Sequence, residues 1–389
     1  MAAPKPAPQI NVRVEQQLLL CASRTRTDDQ QIQRLRQLVS SEVDWDCLLA
    51  LARKHAVEQL VHKQLSEHAA EIVPPEFLQK LRRLSQANFA RNHIFTSELY
   101  RLIKMLAASG IEAIPFKGPA LAVFAYGDLN LRRYVDLDIM VQREDVLAAR
   151  KLLLADGYDS GKSLTLSQQQ VLLQTQHNLQ FRRDQGRMIV ELHWEVASHL
   201  FASSVQAKDL WSNLVEVELN GTTVKSLSAD DLLFSLCIHG SRHLWERLGW
   251  VCDISELISR HQINWEALLV RASRTDTSRM FLLGLILAEQ LLGTPLPSTV
   301  KDKIEDDQGV KALAEAVTDQ LFEESSPRPA SVSEIFKYNI AVRSSWKARA
   351  RYILYMLRPT EGDLNRRLPD RLRFIYYFER PFRLLFKSF

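Results

Sequence analysis

The spacing of apolar residues changes at Ile111, and that change limits the folds open to this chain. Over Glu76–Ser109 apolar residues such as Leu78, Leu81, Phe89, Ile94, Leu99 and Leu106 return at helical intervals. Pro74–Pro75 opens this long helix and Ser109–Gly110 closes it. Beyond it, Ile111–Phe116 is a short apolar run ended by Lys117–Gly118–Pro119, the pattern of a strand and a turn. Ala120–Tyr126 then reads as a helix and Val135–Val141 as a second strand. Asn178–Arg183 and Met188–Val196 read as an antiparallel pair around Asp184–Gly186. Asn220–Gly221 between Val215–Leu219 and Thr223–Leu227 is a hairpin signal.

Both sides of this strand-bearing stretch are helical in pattern. Upstream, Leu35, Leu38 and Val39, then Trp45, Leu48 and Leu49, show helical spacing. Downstream, Ser228 is placed to cap a helix over Leu232–Trp245, and further helices are predicted over Trp250–Ser259, Trp265–Ser273, Met280–Leu292 and Ser333–Leu357. The expected fold is therefore α+β: a small mixed sheet flanked by N-terminal and C-terminal helical regions. The expected divisions are 1–110 (helical), 111–227 (α/β core), 228–325 (helical) and 326–389 (basic-aromatic helical tail). Only 13 Gly and 14 Pro in 389 residues argue against a turn-rich sandwich or barrel.

Charge and cysteine usage narrow the class further. The net charge is +4, but the stretch from Ala341 to Phe389 carries 12 basic and 4 acidic residues, or +8, leaving −4 for the remainder. A weakly acidic body with a basic tail is not the profile of a general nucleic-acid binder. The tail alternates Arg371, Arg373, Arg380 and Arg383 with Phe374, Tyr376, Phe378 and Phe382, which fits packing on the body, an anionic membrane surface or an acidic partner. No stretch approaches the length of a membrane span, and Glu289 interrupts the strongly apolar Met280–Ala288. Cys21, Cys47, Cys237 and Cys252 form no CxxC pair, as expected for reduced thiols in a cytoplasmic protein.

Chemistry concentrates in the strand-bearing stretch. Side chains alternate along a strand, so Asp136 and Asp138 share one face while Val135, Leu137, Ile139 and Val141 share the other. Two carboxylates one pleat apart repel, and a proton or a cation relieves them. A hard divalent ion, Mg²⁺ or Mn²⁺, suits such oxygens and is commonly completed by water and substrate phosphates. On the later strand Glu191, His193 and Glu195 share a face, and Glu191 joins the aspartates if the two strands are neighbours. Gly118 allows close backbone approach to a phosphate, and Lys117 adds a positive charge there. Pro119 contributes no N–H. Taken alone, each of these residues also fits an ordinary role: a solvated surface strand, a strand-end lysine or a packed histidine. His239 and His243 stand at i and i+4 with Cys252 and Asp253 close behind, a conceivable zinc arrangement, but no Glu follows His239 as HExxH chemistry requires.

Taken together, the glycine turn, the helix, Asp-x-Asp on a strand and the later carboxylate resemble the polymerase β-like nucleotidyltransferase superfamily. Lys117–Gly118, Tyr126–Gly127–Asp128, Arg132–Arg133, Asp136-Leu137-Asp138 and Glu191-Leu192-His193-Trp194 are similar to a large bacterial family within it. The resemblance implies a nucleoside triphosphate such as ATP as donor, Mg²⁺ or Mn²⁺ as cofactor, and transfer of a nucleotidyl group with release of pyrophosphate. By the same resemblance Asp136, Asp138 and Glu191 are catalytic metal ligands. Lys117, Gly118, Arg132, Arg133 and His193 would serve nucleotide binding or orientation. The acceptor it leaves open as a small molecule, a sugar or a protein hydroxyl. Gly118–Pro119 stands where the superfamily often has Gly-Ser, and Val135 stands where Ser precedes the first aspartate. Two alternatives remain: an Asp-x-Asp sugar transferase using a nucleotide-sugar, and a catalytically silent nucleotide-binding or interaction protein with this fold.

Overall fold

The computed structural model describes residues 13–161, 164–199, 201–202, 207–323 and 330–359, together with Ile375. The loop expected over Ser325–Ala330, apart from Ala330, and the final helix expected over Asp370–Phe378, apart from Ile375, fall outside these residues. So do the arginines and aromatics of the basic tail from 360 onward.

Helices α1 (Val14–Ala22), α2 (Asp29–Val39), α3 (Trp45–His55), α4 (Glu58–His68) and α5 (Pro75–Ala108) open the chain. The first sheet strands follow: β1 (Ala113–Pro115), then α6 (Gly118–Leu121), which widens into a π turn at Ala122–Tyr126, then β2 (Leu137–Val141). Next come α7 (Val146–Ala155), α8 (Leu166–Thr175), β3 (Asn178–Arg183), β4 (Met188–His193) and α9 (Ala207–Ser212). A separate hairpin, β5 (Val215–Leu219) and β6 (Thr222–Ser226), precedes α10 (Ala229–Arg242), α11 (Leu248–Arg260), α12 (Trp265–Arg274) and α13 (Ser278–Leu292). The last described helices are α14 (Ser298–Asp306), α15 (Gln308–Phe322), α16 (Val332–Ala341) and α17 (Trp346–Leu357). Among them no helix is long and apolar enough to cross a membrane. The fold is thus mostly helical around a small mixed sheet, the α+β architecture expected.

The sheet has the order β1-β2-β4-β3. β1 and β2 are antiparallel, β2 and β4 parallel, β4 and β3 antiparallel. Parallel pairing needs a crossover, supplied by α7, α8 and β3 between β2 and β4. Both faces of β2 are buried. Leu137, Ile139 and Val141 join a core with Leu99 and Leu102 of α5, Val146 of α7 and Val171 of α8. Met140, on the opposite face, joins a second core built on the N-terminal helices and on α10, α11 and α13. The carboxylate face of β2 therefore looks toward the later helices.

Several local expectations are corrected. Val135 does not belong to the packed face: β2 begins at Leu137 and Val135 is 45% exposed. Phe89 and Ile94 of α5 point outward, while Asn88 and Asn92 occupy its buried stripe. Helix Ser333–Leu357 is two helices, α16 and α17. Ser345 caps the second, its hydroxyl accepting from Ala348 N–H at 3.0 Å, and the Arg343 guanidinium between them is fully buried. The periodicity also passed over α14, which buries only Val300 and Ile304 and so carries little apolar signal.

Candidate metal and nucleotide site

Strand register brings the later carboxylate to the aspartates. In the parallel pair, Asp138 lies opposite Glu191 and Met140 opposite His193. Lys117, at the end of the β1 segment, sends its ammonium to Asp138 Oδ1 at 3.2 Å and to His239 Nδ1 of α10 at 3.4 Å. His193 donates from Nε2 to Asp138 Oδ1 at 2.9 Å, with Glu191 Oε2 3.3 Å away. Neighbouring β3 steadies Glu191: Asn178 Nδ2 donates to Oε2 at 2.8 Å and Gln180 Nε2 to Oε1 at 3.4 Å. Gly118 bends at φ +54°, and a Cβ there would stand 3.4 Å from the Asp136 carbonyl oxygen. The glycine turn is thus pressed against the backbone that carries the first aspartate.

The two aspartates differ in electrostatic character. Burial pushes the Asp136 carboxyl up to about 6, and the nearby Asp138 and Glu191 charges push the same way. Among the described residues it has no hydrogen-bond partner. Burial acts in the same direction on Asp138, but the Lys117 ammonium and His193 overcome it and hold that carboxyl well below its usual range. Glu191 behaves alike: burial raises it, and the His193 hydrogen bond brings it below normal. For His193, burial opposes protonation, but its two carboxylate partners outweigh burial and raise the imidazole.

Ligand atoms of Asp138, Glu191 and His193 lie within 4.8 Å of one another, a spacing that could hold a metal ion. Asp136, expected as a ligand, precedes β2 and is not part of this group, although the Asp138 and Glu191 charges act on it. Two carboxylates and one imidazole fit a hard or borderline divalent ion, with oxygens favouring Mg²⁺ or Mn²⁺. His193 Nδ1 is buried without a hydrogen-bond partner.

The remaining expected residues have structural partners. Arg132 is nearly buried and grips Asp253 of α11 with two bonds, Nε to Oδ1 at 2.8 Å and Nη2 to Oδ2 at 2.9 Å. Tyr126 donates its hydroxyl to the same Oδ1 at 2.7 Å. Arg133 pairs with Glu58 of α4 at 2.8 Å. The Tyr-Gly-Asp and Arg motif thus ties the turn before β2 to the helical layer. Asp253 is committed to that tie, and the Cys252 thiol points to the Ser23 carbonyl at 3.4 Å, so the zinc arrangement with His239 and His243 is not assembled. Glu195 turns away to Arg143 at 3.2 Å. The helix after Gly118 is one α turn that widens at once into a π turn, and Pro119 at its start has no N–H to offer phosphate.

Sequence reasoning missed the residues that hold this loop. Asn92 Nδ2 donates to the Leu129 carbonyl at 2.6 Å and the Arg132 carbonyl at 3.1 Å, and Asn88 Nδ2 reaches the Asn130 carbonyl at 3.1 Å. Two asparagines four apart within a buried helical stripe were the available signal.

An α+β protein whose mixed sheet carries a metal-competent carboxylate cluster beside a glycine bend is the class these observations define. Residues 41–293 match the family model described as uncharacterised nucleotidyltransferase, which is more than half of the 389 residues. The chain belongs to that family. No curated protein matches it at a significant level.

Proposed function

We propose that the protein is a polymerase β-like, divalent-metal-dependent nucleotidyltransferase that uses a nucleoside triphosphate. The observation that carries this reading is the parallel register of β2 and β4, which sets Asp138 opposite Glu191 beside the Gly118 bend. Asp136, Asp138 and Glu191 would hold Mg²⁺ or Mn²⁺. Such an ion, when bound, neutralises phosphate charge and polarises the reacting phosphoryl group. Lys117 and the Gly118 backbone would face the triphosphate. Arg132 and Arg133, both ion-paired, would contribute field rather than direct contacts. His193 would orient Asp138 and Glu191. In the reaction an acceptor hydroxyl oxygen bonds to the α-phosphorus, the bond from that phosphorus to the bridging oxygen breaks, and pyrophosphate leaves. The hydroxyl proton passes to a carboxylate, for which Glu191 is placed on the strand adjoining the aspartates.

Six α-helices and one strand precede β2. A nucleotide-sugar transferase fold builds alternating strands and helices before its Asp-x-Asp, so the architecture favours the triphosphate donor.

Labelled triphosphates with Mg²⁺ or Mn²⁺ in a host lysate, followed by mass spectrometry, would identify the species that gains a nucleotidyl group. The Asp136→Ala/Asp138→Ala protein should lose labelling by roughly a thousandfold while keeping its circular dichroism spectrum. Equal labelling by the double variant would overturn the proposal.

A further inference from the structure

The cations around the carboxylate cluster are not equivalent. Lys117 is paired with Asp138, Arg132 with Asp253 and Arg133 with Glu58. Arg242, in the last turn of α10, faces no carboxylate among the described residues. Its Nη1 donates instead to His177 Nε2. The side chain is half-buried, so a guanidinium is partly withdrawn from water without a counter-charge, a state that an anionic ligand relieves.

Its place relates it to the acidic centre. The His177 ring is 6.1 Å from the ring of His193, and His193 holds both Asp138 and Glu191. Arg242 thus stands two imidazoles, His177 and His193, beyond the carboxylates. His239, three residues before Arg242, lies on the same face of α10, and His243, the residue after Arg242, is its C-cap. Their rings are 4.6 Å apart, and Trp250 of α11 covers both, at 5.3 Å and 5.4 Å. Burial first, and then the positive charges of Lys117 and Arg242, keep both imidazoles neutral. Neutral imidazoles offer N–H donors without adding charge.

We propose that this face of α10 is the wall that binds the triphosphate, with Arg242 gripping the phosphates that depart as pyrophosphate. The inference rests on the nucleotidyltransferase reading and deepens it. A guanidinium fork matches phosphate oxygens in pairs, which Lys117, a point charge held between Asp138 and His239, does not. As the bond to the bridging oxygen breaks, negative charge grows on the leaving pyrophosphate, and a fixed cation there stabilises the transition state. The grip reads the phosphate chain and not the base. Tripolyphosphate and nucleoside triphosphates should therefore bind alike, and nucleoside monophosphates much more weakly.

Calorimetric titration of the full chain with pyrophosphate, tripolyphosphate and ATP, in EDTA and in Mg²⁺, tests this. Arg242→Ala should weaken pyrophosphate binding by about tenfold or more in both conditions, and Arg242→Lys should restore part of the loss. Asp138→Asn should keep or improve the affinity in EDTA and lose the gain brought by Mg²⁺. If Arg242→Ala fails to fold, the Arg242→Lys and Arg242→Gln proteins decide, and wild-type affinity in Arg242→Gln overturns the wall. Wild-type affinity in Arg242→Ala likewise overturns it and leaves the nucleotidyltransferase reading standing. Pyrophosphate binding that depends on Arg242, in a protein that labels no acceptor, supports the wall and overturns the transfer reaction. A wild-type chain that binds none of these anions overturns both.

Discussion

Gly240 shows how closely single atoms are constrained beside the candidate site. It sits in α10 between His239 and Arg242, and the ring of Trp245 packs directly on it. Trp245 is fully buried, and its backbone N–H donates to the Gly240 carbonyl at 2.9 Å. A Cβ at this glycine would come within 2.4 Å of the Trp245 ring. Gly240→Ala should therefore destabilise the protein by about 1–3 kcal/mol through overpacking, read as a lower urea midpoint at unchanged slope. An unchanged midpoint would mean the indole moves aside freely. At this scale alternation put Glu191 and His193 on one face of their strand, because alternation needs only local geometry. It did not reveal that Asp136 lacks a hydrogen-bond donor while Asp138 has Lys117 and His193, since those partners come from other elements.

At the scale of elements, one ion pair joins α11 to the turn before β2. Asp253 accepts two bonds from the nearly buried Arg132 and one from Tyr126. Removing it in Asp253→Ala leaves a buried guanidinium unpaired and should cost about 3–5 kcal/mol, measured by denaturant unfolding. Asp253→Asn, which keeps an acceptor, should cost less. Equal stability of Asp253→Ala and wild type would show that the tie is dispensable. The asparagines of α5 hold the same turn from the other side, so the strand bearing Asp138 is fixed between two helical layers. Most element positions were legible: β3 spans Asn178–Arg183 as its alternation predicts, and α5 starts at Pro75, where a missing N–H does no harm. The split between α16 and α17 was not legible, because it depends on burying Arg343 between Phe201 and Tyr352, far apart in sequence.

Across the whole molecule, folding keeps several histidines neutral. His55, at the end of α3, is fully buried, and its Nδ1 accepts from Leu248 N–H of α11 at 3.2 Å. Burial, with the Lys54 charge behind it, lowers its pKa from 6.5 to about 3. His177 and His239 are displaced in the same direction by burial first, and His243 is lowered to about 4. A group lowered in the folded state binds its proton more readily when unfolded. The stability it contributes is full above the unfolded value of 6.5 and is lost as pH falls toward about 3. For His55 alone the loss near pH 5 should be about 2 kcal/mol. Unfolding midpoints followed from neutral pH downward should fall less steeply in His55→Gln than in wild type. Parallel profiles would rule out this source of acid sensitivity.

Alternation and helical spacing by themselves determined the order of the strands along the chain, the α+β class, and which side chains on a given strand share a face. These depend on backbone geometry repeated over a few residues. Tertiary structure alone decided that β2 and β4 are neighbours in parallel register, that Arg132 is committed to Asp253, and that Arg242 bonds His177 rather than a carboxylate. Each of these depends on contacts between residues dozens to more than a hundred positions apart. Periodicity carries no information about such pairings until the sheet closes and the later helices pack over it.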